Sequence, residues 1–178
     1  GAKRKAMSDE RFPITLNTLI TLITLITPRT KTTTTTDPKN MKTIAIICGG
    51  DSSEHDVSMR SAAGIESFID KDRYKVYKVE LKAGLWEAIM PDGSRSKVDR
   101  NDFTFVTESG ETVRPDFCYI TIHGAPGENG VLQGYFDLIG MPYSTSGVLV
   151  EALTFDKFVL NNYMRSLGVS VADSLIVR

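Results

Sequence analysis

From residue 42 onward, apolar and polar residues follow one another in a regular series of strand-like and helix-like segments. The run TIAIICGG at 43–50 is β-branched, apolar and closed by two glycines, which is typical of a buried parallel strand. Apolar residues then recur at helical spacing over about 56–70 and predict an amphipathic helix. The alternating segment YKVYKVEL at 74–81 predicts a second strand.

The later segments continue this series. Residues 84–98 contain a Pro-Asp-Gly turn and predict a small hairpin, and FCYITIHG at 117–124 predicts a third buried strand. Helices are expected over about 131–139, where a glycine ends the pattern, and over about 156–167, before a last short strand at 174–178. Strands that alternate with helices indicate an α/β fold with a doubly wound parallel sheet.

Residues 1–40 follow a different pattern. The tract TLNTLITLITLIT repeats a Thr-Leu-Ile triplet and is followed by KTTTTTD. A triplet period gives neither a helix nor a strand one continuous apolar face. Threonine interrupts the tract too often for a membrane-spanning helix or for the core of a signal peptide. We interpret this segment as a disordered leader and Met41 as the natural start of the protein.

Length and charge limit the classes of function. The 178 residues are enough for one well-buried domain and the beginning of another. Lys and Arg together number 21 and Asp and Glu 22, so no excess of positive charge indicates a nucleic-acid partner. Cys48 and Cys118 each lie in an apolar run and are expected to be buried free thiols of a cytoplasmic protein. With only two histidines besides, a structural zinc site is not expected.

Three loops follow predicted strands, at the positions where open α/β sheets bind ligands. In the first loop, GGDSSEHDVS, Gly49 and Gly50 allow a sharp turn. Ser52 and Ser53 offer hydroxyl groups and an N-cap for the next helix. Glu54 is placed to receive a substrate ammonium group; alternatively, it only complements the positive end of the helix dipole.

The second loop, HGAPGENGVLQG, has three glycines around Glu128, namely Gly124, Gly127 and Gly130. His123 ends a predicted buried strand, where it either holds an anionic group or is a satisfied core side chain. Glu128 is either a hydrogen-bonding brace for its own loop or a first-turn acid of the following helix.

The third loop, PYSTSG at 142–147, precedes a helix that carries Asp156 and Lys157 near its start. A lysine at this end of a helix is unfavourable unless an anion lies close by, so we expect Lys157 to contact either a phosphate or Asp156. The sequence contains no Walker-type phosphate loop, no HExxH motif and no Ser-His-Asp order. Each loop taken singly is therefore a weak functional signal.

Taken together, the loops resemble those of D-alanine–D-alanine ligases. HGAPGENGVLQG matches, position for position, the signature H-G-x-x-G-E-[D/N]-G-x-[apolar]-Q-G of that family, and GGDSSEHDVSMRSA is similar to its opening motif GGxSxEHxVSxxSA. PYSTSG and the later Asp156-Lys157 pair resemble its next two landmarks. The resemblance runs from about Met41 to Arg178, with one departure, because the family usually has glycine where Thr145 stands.

The resemblance implies a Rossmann-like amino-terminal domain at 41–153 and the beginning of an ATP-grasp domain at 154–178. It also implies a cytoplasmic, homodimeric bacterial enzyme that uses ATP and Mg²⁺ (or Mn²⁺) to make D-alanyl-D-alanine for peptidoglycan synthesis. In that reaction ATP phosphorylates the carboxylate of one D-alanine, and the amine of a second D-alanine attacks the acyl phosphate. Such chemistry depends on positioning and on charge stabilisation around the transferred phosphoryl group.

The same resemblance assigns roles to individual residues. Glu54, the candidate catalytic residue, is similar to the glutamate that takes the ammonium of the first D-alanine, with Ser52 and Ser53 beside it in the substrate site. His123 resembles the histidine close to the carboxylate of that D-alanine, and Lys157 resembles the first lysine that contacts ATP phosphates. The residues implied to set the shape of the loops are Gly49, Gly50, Gly124, Gly127, Glu128 and Gly130.

The family's Mg²⁺ carboxylates, adenine-clamping segment, oxyanion-stabilising arginine and lid come after the point at which this chain ends. No metal ligand is therefore expected among its residues, and we expect the chain by itself to lack ligase activity.

Three alternatives stay open. A D-alanine–D-lactate ligase shares these amino-terminal motifs. A non-catalytic α/β module that binds a ligand or a partner also fits a chain of this length. A different ATP-grasp ligase is disfavoured because the match to the second motif is close.

Overall fold

The computed structural model describes residues 41–177. The sequence predictions that fall on residues 1–40 and on Arg178 lie outside this range. In chain order, the elements of the described part are β1 (Lys42–Gly49), α1 (His55–Phe68), β2 (Tyr74–Lys82), β3 (Leu85–Ile89), β4 (Arg95–Lys97), β5 (Phe105–Val106), β6 (Thr112–Val113), β7 (Phe117–Ile120), α2 (Val131–Leu138), α3 (Val148–Phe155) and α4 (Lys157–Ser166).

A five-stranded sheet with the order β4-β3-β2-β1-β7 forms the centre of the fold. Strand β1 pairs in parallel with β2 on one side and with β7 on the other, and β3 and β4 continue the sheet as an antiparallel hairpin. The doubly wound α/β prediction is confirmed, with the addition that the far edge of the sheet is antiparallel. Because β1 and β7 are parallel neighbours, the loops that follow them leave the sheet at the same edge.

Strand β1 is buried on both faces, as its continuous apolar run predicts. Ile44, Ile46 and Cys48 point toward α1, where they pack with Ala62 and Ile69. The alternate residues of the strand, Ala45 and Ile47, point to the opposite face and join the larger core. Successive side chains of a strand point to opposite faces, so one segment anchors both cores.

The larger core is built around aromatic side chains from β3, from α2 and from the segments that follow β4 and α2. Phe136 of α2 is fully buried, and its ring centre lies 5.2 Å from that of Phe103 and 6.0 Å from that of Tyr143. The rings of Trp86 and Tyr135 meet edge to face at 5.0 Å. Edge-to-face packing of this kind adds to the stabilisation from apolar burial.

Both cysteines are buried free thiols, as predicted. Burial raises the pKa of Cys48 to about 12 and raises that of Cys118 as well. Both thiols therefore stay protonated near neutral pH and act as small apolar side chains of the core.

Four features differ from the sequence predictions or extend them. The strand predicted at 117–124 is shorter, because β7 ends at Ile120. The strand predicted at 174–178 is wrong over 174–177, because Leu175 and Val177 are almost fully exposed and no neighbouring strand in the described chain pairs with this segment. Helix α3 and the two-residue strands β5 and β6 were not predicted. The predicted domain boundary between residues 153 and 154 falls within α3 and stays a prediction.

Helices α1, α2 and α4 lie where the periodicity places them, within two residues at each end. Helix α4 begins at Lys157, and the Asp156 carboxylate caps it by accepting hydrogen bonds from the backbone N–H groups of Phe158 and Val159. None of the helices within residues 41–177 combines the length and the apolar content needed to cross a bilayer.

The aromatic core yields a first prediction. Phe136→Ala removes a fully buried ring and leaves a cavity against Phe103 and Tyr143, so the free energy of unfolding should fall by about 3–5 kcal/mol. Leu138→Ala, two residues along the same helix at a side chain that is 88% exposed, should change it by less than about 0.5 kcal/mol. Urea denaturation of both variants measures the difference, and equal losses would contradict the assigned core.

Candidate functional site

The first and second loops meet at the edge of the sheet where β1 and β7 end. The Ser52 hydroxyl donates a hydrogen bond of 2.9 Å to the backbone carbonyl of His123. The same oxygen accepts a hydrogen bond of 3.2 Å from the backbone N–H of Glu54. One serine hydroxyl thus bonds directly to the backbone of both candidate site residues and holds the two loops together.

The side chains of Glu54 and His123 face each other across this junction. Glu54 Oε2 lies 3.9 Å from His123 Nδ1, which is longer than a hydrogen bond. The side chains are 57% and 40% exposed, respectively, so solvent and a small ligand reach both. A carboxylate beside an imidazole provides an acceptor for an ammonium group and a donor for a carboxylate within one crevice.

The Glu54 side chain does not cap the helix that it precedes. Glu54 occupies the N-cap position of α1, but its carboxylate makes no capping hydrogen bond, and the first-turn acid is Asp56. Within residues 41–177, the Glu54 carboxylate accepts no hydrogen bond at all, so it is available to a ligand. This geometry favours the substrate role of Glu54 over the helix-dipole alternative.

The prediction that Ser52 or Ser53 provides the N-cap is wrong. The chain makes an additional turn over 52–55, closed by a 3.3 Å hydrogen bond from the His55 N–H to the Ser52 carbonyl. Helix α1 therefore begins only at His55, with Glu54 at the N-cap position. Ser52 instead joins the two loops. Ser53 is exposed, and its hydroxyl has no hydrogen-bond partner within the described chain.

Two glycines bring the first loop close to its neighbours. Gly49 and Gly50 have φ values of 89° and 92°, which residues with side chains rarely adopt. A Cβ atom on Gly50 would lie 2.7 Å from the Ile122 Cγ2 atom, and one on Gly49 would lie 2.6 Å from the Leu81 carbonyl oxygen. The Gly50 N–H donates to that same carbonyl at 2.7 Å. The loop is therefore fixed against both β2 and the second loop.

The second loop is braced from within. The Glu128 carboxylate accepts a hydrogen bond of 2.7 Å from the Gly124 N–H, and the Glu128 N–H donates to the Gly124 carbonyl at 2.9 Å. A Cβ atom on Gly127 would lie 2.6 Å from the Ile122 carbonyl oxygen, so the loop is packed tightly on the end of its own strand. Gly130, with φ of 85°, then starts α2.

The third loop is joined to the second by a buried glutamine. Gln133 of α2 is fully buried, and its Nε2 atom donates to the Gly127 carbonyl at 2.6 Å and to the Thr145 hydroxyl at 2.9 Å. Thr145 does not have positive φ, so the threonine at this position needs no glycine-like backbone. Its hydroxyl supplies a hydrogen-bond acceptor that glycine does not have.

Lys157 lies apart from this arrangement. Its exposed ammonium group donates a 2.6 Å hydrogen bond to the Thr154 carbonyl at the end of α3, and within the described chain it forms no ion pair with Asp156. The structure therefore brings Ser52, Glu54 and His123 together, whereas the described contacts of Lys157 connect it only to α3.

Within residues 41–177, no group of three or more His, Cys, Asp or Glu side chains is placed to hold a metal ion.

Sequence reasoning missed an ionic network directly behind the first loop. His55 Nε2 lies 2.8 Å from Glu80 Oε1, and Arg95 of β4 pairs with both Glu80 and Glu87. Burial alone would raise the pKa of the Glu80 carboxyl, but Arg95 and His55 together hold it below its ordinary value. The one sequence signal for this network was Glu80 itself, an acidic residue near the end of a predicted strand. Its partners His55 and Arg95 lie 25 and 15 positions away in the chain, so no local pattern connects them.

Known proteins share sequence and fold with this chain. A family model described as "D-ala D-ala ligase N-terminus" matches residues 43–146. The D-alanine–D-alanine ligase of Phocaeicola vulgatus is 60% identical over 137 residues. These residues are 77% of this chain and 42% of that relative, so the chain spans less than half of the length of the relative.

Solved structures of ligases have the same fold. The VanG D-Ala:D-Ser ligase from Enterococcus faecalis matches with a TM-score of 0.65 at 26% identity, over 75% of this chain and 44% of that one. A D-alanine–D-alanine ligase from Bacillus anthracis complexed with ATP matches with a TM-score of 0.56 at 26% identity, over 75% of this chain and 37% of that one.

The Glu80 network predicts a pH dependence of stability. The pKa of Glu80 in the folded state is lower than the 4.5 of a free glutamate. The network therefore stabilises the folded state at pH values above 4.5. This contribution is lost as the pH falls through the pKa of Glu80 in the folded state. The difference in free energy of unfolding between the wild type and Glu80→Gln should therefore shrink as the pH is lowered from about 7 to about 3. Urea denaturation at several pH values measures it, and a constant difference would contradict the network.

The contact between the second and third loops yields another prediction. Thr145→Ala leaves one N–H of the buried Gln133 side chain without an acceptor and should lower the free energy of unfolding by about 1–3 kcal/mol. Thr145→Ser keeps the hydroxyl and serves as the matched control. If the alanine and serine variants are equally stable in chemical denaturation, the hydroxyl does not hold Gln133.

Proposed function

Because the chain belongs to the D-alanine–D-alanine ligase family, whose amino-terminal region it matches, we propose that it binds the first D-alanine of an ATP-dependent ligation. The observation that carries this proposal is the pairing of Glu54 and His123 across an open crevice, with the carboxylate of Glu54 unused by its own helix. A zwitterionic amino acid presents one positive and one negative group a few bonds apart, and these two side chains are complementary to both.

In the proposed complex, the Glu54 carboxylate accepts hydrogen bonds from the ammonium of D-alanine, and His123 donates to its carboxylate. Charge-assisted hydrogen bonds of this kind are stronger than neutral ones and orient the bound molecule. Ser52 supports both interactions, because its hydroxyl bonds to the backbone at His123 and at Glu54. The structural roles that we propose for Gly49, Gly50 and Glu128 follow from the close contacts of the two loops.

The reaction proposed for the whole protein is phosphorylation of this bound carboxylate by ATP, followed by attack of a second amine. An oxygen of the carboxylate bonds to the γ-phosphorus as the bond to ADP breaks. The nitrogen of the second D-alanine then bonds to the acyl carbon, phosphate leaves with the C–O bond pair, and the new amide loses a proton. Within this scheme, the described residues hold the first carboxylate in place, which is the positioning that such chemistry requires.

ATP is the proposed phosphoryl donor. The neighbour from Bacillus anthracis is an ATP complex, which supports this assignment. We assign Lys157, at the beginning of the ATP-grasp part at 154–178, to the ATP phosphates, since its ammonium is exposed and bonded only to the Thr154 carbonyl. We assign no Mg²⁺ ligand to residues 41–177, among which no group of three or more His, Cys, Asp or Glu side chains converges.

The first site is compatible with more than one second substrate. The neighbour from Enterococcus faecalis is named a D-Ala:D-Ser ligase, so ligases with different second substrates share this fold. D-Lactate as the second substrate is therefore compatible with the same first site. The use of ATP and the two buried free thiols support a cytoplasmic protein, and the resemblance to the family supports a homodimer.

Binding of D-alanine to the 178-residue chain tests the proposal. Titration with D-alanine should shift the backbone amide NMR signals of Ser52, Glu54 and Gly124 and leave those of β3 and β4 unchanged. Glu54→Gln removes the charge that the ammonium requires while keeping the shape of the side chain, and should weaken binding about tenfold.

Glu108→Gln is the matched control, since it neutralises an exposed glutamate near the β5–β6 turn, and it should bind D-alanine as the wild type does. L-Alanine reports on stereochemical selection. Binding that is unaffected by Glu54→Gln, or the absence of any shift up to the solubility limit of D-alanine, would refute the proposed site.

A further inference from the structure

Two pairs of polar side chains tie helix α1 to strand β2, one near each end of the helix. At the amino-terminal end, His55 Nε2 lies 2.8 Å from Glu80 Oε1. Further along, Glu66 Oε2 lies 2.8 Å from Lys78 Nζ. The pairs join the same two elements at the same distance, but only the first directly follows Glu54 in the chain.

The environment of His55 holds its ring in one orientation. The Nε2 atom faces Glu80, and the Nδ1 atom lies 3.2 Å from the Asp56 carboxylate. The His55 side chain is only 18% exposed and that of Glu80 only 10% exposed. Arg95 fixes Glu80 in turn, because it contacts the second carboxylate oxygen of Glu80 and also pairs with Glu87 across the hairpin. Rotation of the imidazole would break contacts at both of its nitrogens.

This anchoring matters for Glu54 because the carboxylate of Glu54 is not held by a hydrogen bond of its own within the described chain. The direction of the side chain is set by the backbone on either side of it. On one side, the Glu54 N–H donates to the Ser52 hydroxyl; on the other, the Glu54 carbonyl accepts the first helical hydrogen bond, 2.9 Å long, from Ser58. His55 lies between these two points and fixes the first turn of α1 to the sheet.

We propose that His55 is a positioning residue, whose pairing with Glu80 aims the Glu54 carboxylate at His123 and thereby sets the affinity for the first amino acid. The inference rests on the proposed function, and it adds to it a second layer of residues, His55, Glu80 and Arg95, that contact no substrate. Groups held by such supporting contacts keep a ligand-binding geometry that exposed side chains alone do not maintain.

The test compares the loss of each of the two side-chain pairs in the whole chain. His55→Ala should weaken D-alanine binding about tenfold, measured by NMR titration, because a displaced carboxylate no longer meets the ammonium. Lys78→Met breaks the other ion pair between α1 and β2 and should leave the dissociation constant unchanged, even though both variants lower the melting temperature. His55→Gln, which keeps an N–H donor toward Glu80, should recover most of the affinity.

The outcomes separate this inference from the proposed function. If Glu54→Gln weakens binding but His55→Ala does not, the site stands and the positioning role is refuted. If Lys78→Met weakens binding as much as His55→Ala, the effect is general docking of the helix, and the inference is also refuted. Should His55→Ala fail to fold, the comparison of Glu80→Ala with Lys78→Met decides in its place, and only the Glu80 variant should lose affinity.

A wild-type chain that does not bind D-alanine would refute the proposed function, and a structural measurement would then decide the inference. In His55→Ala, the amide signals of Ser52 and Glu54 should shift and the Ser58 amide should exchange faster with solvent. In Lys78→Met, these three signals should stay as in the wild type. Equal responses of the two variants would overturn the positioning role.

Discussion

The parallel pairing of β1 with both β2 and β7 is the constraint on which the candidate site depends. Parallel strands end at the same edge, so the loops after β1 and β7 leave the sheet side by side, and residues 71 positions apart in the chain, Ser52 and His123, meet there. The pairing is held by burial of β1 on both faces, with Ile44 through Cys48 almost fully excluded from solvent. A weaker central strand would loosen both loops at once.

Within this frame, the two loops are positioned mainly by backbone contacts and by one serine. Gly50 approaches Ile122, and Gly127 approaches the carbonyl of the same residue, more closely than any side chain would allow. Ser52 then joins the loops through a single hydroxyl. Because the backbone is fixed by such contacts, Glu54 and His123 can stay exposed to solvent and still face each other, which is the condition for a preformed site that a small solute reaches directly.

Local sequence patterns were sufficient for the elements whose apolar residues follow a continuous or periodic pattern along the chain. The apolar run of β1 and the helical periodicity of α1, α2 and α4 gave correct positions, and the two glycine-rich motifs identified the loops of the candidate site. The missed features either are too short to show a pattern or depend on partners distant in the chain. Strands β5 and β6 have two residues each, and the network around Glu80 joins residues from α1, β2 and β4. The error at Ser52 arose because its hydroxyl bonds to another loop instead of its own helix.

The packing of the helices explains why the proposed amino-acid site is more firmly held than the proposed ATP contact. Helices α1 and α2 each contribute buried residues, whereas α3 and α4 contribute none among the described residues. Asp156 caps α4, and α3 contacts both α2 and α4. Lys157 lies on α4 and bonds only to an exposed carbonyl, an interaction that water replaces at little cost in free energy. Glu54 and His123 are carried by the sheet. In the proposed ligation, residues positioned by the sheet hold the carboxylate of the first amino acid, and the phosphoryl donor meets a less buried part of the chain.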